Sequence, residues 1–133
     1  MAAAVSRVAA LALACAGCTS IAVDARSFEG TSWRVTSIDG HPTPANGDYR
    51  IEFKKGQISG RFGCNSWGGS YSVVGETLAA TNVESTMMGC PEPAMTIERE
   101  GLAVVRGAMR WTWSGPKLIL SNSAGSIRLE QQR

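Results

Sequence analysis

The residues whose types and spacing bear on chemistry are few: four cysteines, one histidine, five methionines and four tryptophans in 133 residues. The cysteines form two pairs, Cys15 with Cys18 near the start and Cys64 with Cys90 in the body. A reactive thiol needs a base, and the sole imidazole, His41, sits in the proline-rich run His41-Pro42-Thr43-Pro44 with nothing to bring it to Cys64. Nor is the Cys64–Cys90 spacing the C-x-x-C of a thiol exchanger. One histidine excludes a metal centre built on several imidazoles and any relay that needs two. Met87-Met88 and Met95 carry thioethers of the kind that hold copper(I), yet beside a helix start such methionines are first of all core filler. For Glu98 the sequence singles out no second acid to complete an acid–base pair, and backbone amides or Arg99 are its expected partners. No phosphate loop, Ser-His-Asp order or nucleophile elbow is present. The expectation is a non-enzyme without cofactor or metal.

Cys15 and Cys18 lie in a segment unlike the rest. Arg7 is the only charge before Val8-Ala9-Ala10-Leu11-Ala12-Leu13-Ala14, an unbroken apolar run followed by small residues. A basic tip, a short apolar stretch and small residues are the parts of a secretory signal peptide, and the run is too short to span a bilayer. Ala16-Gly17-Cys18 resembles the bacterial lipoprotein signal, in which the cysteine is acylated and becomes the first residue. Cys15 stands where an aliphatic residue is usual. Modification at Cys15 itself is a poorer fit, because Ala12 would then hold that position. The expected layout is a signal peptide over 1–17, lipid on Cys18, a tether over 18–27 and a domain over 28–133. Thr19-Ser20, with no Asp beside the anchor, resembles an outer-membrane sorting signal, so the expected place is the outer membrane facing the periplasm. Ordinary cleavage to a soluble periplasmic or secreted protein is the alternative. A net charge of +2 with both signs scattered gives no stripe for nucleic acid and no polybasic run for lipid, so membrane attachment would rest on the acyl chains.

The elements that must position Cys64 and Cys90 are mostly short strands, since apolar residues recur at every second position between Gly, Pro, Asn and Asp. Trp33 and Val35 open the first strand, which stops at Asp39-Gly40. Ile51 and Phe53 alternate with charged residues, and Lys55-Gly56 turns the chain into a hairpin partner ending at Phe62. The run 63–71 is rich in glycine and small polar residues, which bend a strand sharply or admit another backbone closely. Tyr71–Val74 and Thr77–Val83 follow as strands. From Pro91 to about Arg106, Met95, Glu98, Leu102 and Val105 recur at helical spacing, with Gly101 costing about 1 kcal/mol relative to alanine. Three more strands carry Met109, Trp111 and Trp113, then Leu118 and Leu120, then Ile127 and Leu129. Strands, one helix and strands again describe an α+β domain: a curled antiparallel β-sheet with one main α-helix.

Gly30-Thr31-Ser32-Trp33, Gly63-Cys64-Asn65 with Gly69-Ser70-Tyr71, Thr86-Met87-Met88-Gly89-Cys90, and Met95 with Glu98 together resemble the META/HslJ domain family, over about residues 28–130. The resemblance implies a compact, partly open barrel-like fold with one helix, an exported or lipid-anchored location and no established enzymatic activity. It also implies a link to heat shock and novobiocin tolerance.

In an oxidising envelope the two body cysteines are most simply a disulfide, and closing a loop of about 27 residues contributes roughly 3.5 kcal/mol on the chain-entropy account. Trp111 and Trp113 share a strand face and are expected in the core. Trp67, between Ser66 and Gly68-Gly69, is expected to be exposed, so that Asn65, Trp67, Gly68 and Gly69 form a loop for contact with an envelope protein partner. A second reading is a carrier of a small apolar or lipidic ligand inside the curled sheet, its cavity lined by Phe53, Phe62, Val73 and Leu118.

Overall fold

The structure, a computed structural model, describes residues 27–133. The signal segment, Cys15, Cys18 and nearly all of the tether lie outside the described residues. The elements in chain order are β1 (Ser32–Ile38), β2 (His41–Pro42), β3 (Tyr49–Lys54), β4 (Gln57–Phe62), β5 (Ser66–Val74), β6 (Thr77–Ser85), α1 (Ala94–Val105), β7 (Ala108–Ser114), β8 (Lys117–Asn122) and β9 (Gly125–Gln132).

Every strand neighbour is antiparallel, and the sheet runs β2-β1-β3-β4-β5-β6-β7-β8-β9 with β1 also paired to β9. That last pairing, from Ser32 opposite Gln132 to Ile38 opposite Ile127, closes a barrel of eight strands, with β2 as a short addition beside the end of β1. The expected curled sheet with one helix is therefore present, and its curl carries through to closure. Alternation explains the inside: Tyr49, Ile51 and Phe53 of β3 are buried while Arg50, Glu52 and Lys54 are exposed, and Ile127 and Leu129 of β9 repeat the pattern. At the β3–β4 hairpin both Lys55 and Gly56 have positive φ, the mirror-image turn whose twist matches that of the strands.

The barrel's two poles are closed differently. At the pole of the tight hairpins, Phe28 is buried between Phe53, Trp111 and Trp113, with ring centroids 5.0, 5.4 and 5.2 Å away. The neighbouring Glu29 accepts hydrogen bonds from the Lys55 and Gly56 amides and from the Tyr71 hydroxyl at 2.6 Å, fixing the chain as it enters. Trp111 and Trp113 are half-buried against this core, as expected of their shared face.

At the other pole α1 lies across the mouth. Ile97, Gly101, Leu102, Val104 and Val105 form its buried stripe. The helix begins at Ala94, three residues after the expected Pro91, because Pro91-Glu92-Pro93 leads into it instead of forming its first turn; the Glu92 carboxylate accepts from the Thr96 amide at 3.1 Å. Gly101 meets the sheet so closely that an added Cβ would stand 2.7 Å from Phe62 Cδ2 and 3.0 Å from Ile38 Cδ1. The glycine that weakens the helix in isolation lets it settle on the barrel.

The interior is filled. Phe53, Phe62 and Leu118 are at most 1% exposed within one packed cluster, and Val73 points outward at 39% exposure. The cavity these four residues were expected to line is therefore not formed. Trp33, Phe53 and Phe62 take the volume a ligand would need.

Candidate functional site

The helix-capped pole gathers the two cysteine-bearing motifs. After β4 the chain turns through Gly63 into Cys64 and Asn65, and after β6 the segment Thr86–Cys90 descends to the same place. Cys64 and Cys90 are joined by a disulfide, their Cα atoms 6.1 Å apart, as the sequence predicts.

Asn65 organises what surrounds the disulfide. It is 2% exposed, and its carboxamide oxygen accepts from Thr86 Oγ1 at 2.9 Å and from the Met88 amide at 2.7 Å. Its Nδ2 donates to the Met88 carbonyl at 3.1 Å and to Glu98 Oε2 at 2.9 Å, so the side chain's full capacity is used. The Asn65 backbone amide donates to Glu98 Oε1 at 2.6 Å. Glu98 is thus the buried acceptor that ties the helix to the Gly63–Asn65 turn, in the amide-binding role expected of it, and both its oxygens are engaged. Thr86 completes the set by accepting from the Ser66 amide at 3.2 Å.

This network holds a segment whose outward side is apolar and wet. Met87 is 95% exposed and Met88 53%, although their backbone is clamped by Asn65 on one side and by Cys90 on the other. Between that segment and α1 lies a groove of about 420 Å³, within the range of ordinary ligand sites. The end of β6 and the segment contribute Ser85 to Gly89, and the helix with its C-cap contributes Met95, Arg99, Leu102 and Arg106. Those four recur at spacings of four, three and four, a single stripe along one helix face. Arg99 and Arg106 are exposed and form no ion pair among the described residues.

The contact loop expected at Asn65, Trp67, Gly68 and Gly69 is corrected on three counts. Asn65 is buried in the network just described. Trp67 is 3% exposed in β5, its ring centroid 5.2 Å from that of Phe62, and its indole N–H has no acceptor among the described residues. Gly68 and Gly69 are strand residues; a Cβ on Gly69 would approach the Thr81 carbonyl oxygen to 2.5 Å, where β5 and β6 pass through a register shift. The physical reason is the second of the two readings of a glycine-rich run. Gly69 admits a close backbone, and Gly60 on β4 leaves room for the Trp67 ring, which a Cβ there would meet at 2.8 Å. His41 lies in β2 with Nδ1 3.7 Å from Glu100.

Arg99, Leu102 and Arg106 complete a surface that sequence reading divided between a helix face and a motif. The signal was the regular stripe from Met95, which gains meaning only once the Thr86–Cys90 segment lies opposite it.

Against known proteins, the META domain family model matches residues 26–133. The chain belongs to the META domain family. No curated protein matches it. The META fold is shared with a protein solved by NMR at a TM-score of 0.67 and 18% identity, covering 76% of this chain and 88% of that one. An NMR structure of a protein from Burkholderia xenovorans gives a TM-score of 0.65 at 21% identity, covering 79% and 83% of the two chains.

Proposed function

We propose that this META-domain chain is a non-catalytic lipoprotein of the cell envelope, anchored through Cys18 on the periplasmic side of the outer membrane, that acts by binding a protein partner. The contact surface in this reading is the groove between Thr86–Cys90 and α1, in place of the 65–69 loop. The observation that carries it is the exposure of Met87 and Met88 on a backbone held by a disulfide and by Asn65. A flexible apolar loop would fold onto the protein; a clamped one keeps adaptable thioether side chains available to a partner, at a small ordering cost on binding. The polar groups beneath support binding over catalysis, because Asn65 and Glu98 spend their hydrogen-bonding capacity on each other and on the segment. A stress-related envelope protein is the kind of partner proposed, a reading that draws on the family resemblance to proteins linked with heat shock and novobiocin tolerance.

The test is photo-crosslinking in the intact envelope from a benzoylphenylalanine at position 87. A discrete crosslinked protein, lost when Met88→Glu is added without change in thermal stability, is the expected result. A crosslinker at position 87 that captures no protein under heat stress or novobiocin sinks the reading.

A further inference from the structure

The pole at which the chain enters carries an apolar rim that the core does not absorb. β7 pairs with β6 only from Ala108 opposite Ala79 to Arg110 opposite Thr77, so Trp111 and Trp113 continue along β7 past the point where β6 begins. Both indoles are half-buried, and their polar tips are satisfied at the turns: Trp111 Nε1 donates to the Gly75 carbonyl at 3.0 Å and Trp113 Nε1 to the Gly115 carbonyl at 2.9 Å. Beside them the β5–β6 hairpin ends on Val73 and Val74, 39% and 79% exposed. Amphipathic indoles and valines at a tip suit a boundary with one apolar side and one wet side. The other two hairpins of this rim hold Lys54 and Lys55, and Lys117, all exposed and none in an ion pair among the described residues. Two carboxylates lie nearby: Glu29, engaged by the Lys55 and Gly56 amides and the Tyr71 hydroxyl, and Glu76 at the β5–β6 turn. Folding thus gathers at one end lysines that the sequence keeps apart.

Resting on the acyl anchor proposed above, we infer that this rim is a docking face for an anionic phospholipid bilayer. Val74 and the exposed edges of Trp111 and Trp113 enter the interface, and Lys54, Lys55 and Lys117 meet the lipid phosphates. Phe28 follows Cys18 by ten residues, a span of at most about 35 Å, and the tether joins the anchor to this pole. It raises the local concentration of lipid at the rim, so a contact too weak to hold a free chain suffices to orient an anchored one. Each lysine near an anionic surface gains an attraction that salt screens. The acyl chains hold the protein, and the rim fixes which way it faces.

The test places the acylated mature chain in nanodiscs of phosphatidylethanolamine and phosphatidylglycerol that carry a gadolinium-headgroup lipid, and reads amide broadening by NMR. Broadening is expected to be strongest at Lys55, Val74 and Gly115 and absent at Met87 and Arg99. Lys54→Gln, Lys55→Asn and Lys117→Gln together should remove that pattern, as should discs of phosphatidylcholine alone; asparagine at 55 tolerates the positive φ found there. The Cys18→Ser chain, which carries no lipid at that position, should show amide shifts at the same residues when titrated with phosphatidylglycerol vesicles. The three lysine substitutions should weaken that binding by about tenfold or more, and Val74→Glu should weaken it too. Broadening spread evenly over the domain, centred on Met87, or unmoved by the substitutions or by neutral lipid overturns the inference. Crosslinking from position 87 that persists while the rim shows no lipid contact overturns it and leaves the binding role standing. A chain found without an acyl group on Cys18 overturns the anchor, and the Cys18→Ser titration then decides the rim by itself.

Discussion

Asn65 is the residue on which the site depends, because its carboxamide ties together two separate stretches of chain, the Thr86–Met88 segment and α1 at Glu98. Truncating it to alanine would keep the backbone amide on Glu98 Oε1 but leave Glu98 Oε2, the Met88 amide and the Met88 carbonyl without the carboxamide that satisfies them. Uncompensated buried groups cost about 1–3 kcal/mol each, more for a charge, so Asn65→Ala should lower unfolding free energy by about 3 kcal/mol in urea titration. A loss below about 1 kcal/mol would mean that water replaces the carboxamide. At the opposite pole Glu29 and Tyr71 titrate as a pair. The Tyr71 hydroxyl, and after it the Gly56 amide, hold the Glu29 carboxyl below its ordinary 4.5. Burial, and after it Glu29, push the Tyr71 hydroxyl up to about 12. The depressed carboxyl stabilises the fold above 4.5 and loses that contribution as pH falls through its folded value; the raised phenol stabilises below 10.0 and loses it as pH climbs towards about 12. Tyr71→Phe should therefore raise the Glu29 midpoint in a carboxyl NMR titration, and an unmoved midpoint would remove Tyr71 as the cause. The cysteine pairing was legible at this scale because compartment chemistry decides it. Trp67 was misread because glycine neighbours signal loop and close-packed strand alike, and only the register of β4 and β6 distinguishes them.

Among the elements, α1 shows how packing overrides propensity. Alanine at position 101 would raise intrinsic helix stability by about 1 kcal/mol, but its methyl would press into the Phe62 ring and Ile38, an overpacking that costs about 1–3 kcal/mol. Gly101→Ala is expected to destabilise by about 1 kcal/mol in urea titration, and a stabilised variant would show that the helix can lift from the sheet. The periodicity of Met95, Glu98, Leu102 and Val105 located this helix, and the alternation of Ile51 with Phe53 located β3, because both patterns are local. The short β6–β7 pairing had no such signal. It follows from α1 standing between the two strands in sequence, so that β7 returns to β6 only near Thr77.

For the whole molecule, the Cys64–Cys90 bond ties the end of the first strand group to the beginning of the helix across 26 residues. Replacing both cysteines by serine should lower stability by about 3.5 kcal/mol on the chain-entropy account, read as the difference between urea midpoints of the two chains. Equal midpoints would show that the Asn65 network holds the segment unaided. Barrel closure itself is written nowhere locally. It depends on β1 meeting β9, the first long strand meeting the last, and only the shared apolar inward face of Trp33, Val35, Ile127 and Leu129 prepares it. The two poles described above have a mechanical consequence. The chain enters beside Phe28, and the groove lies past the far rim under α1. A barrel whose strands climb about 3.3 Å per residue at a tilt near 40° makes a rigid post roughly 20–25 Å tall. Met87 and Met88 are therefore held at the end of this post opposite the one at which the chain enters beside Phe28, so a contact made there leaves the entry pole free.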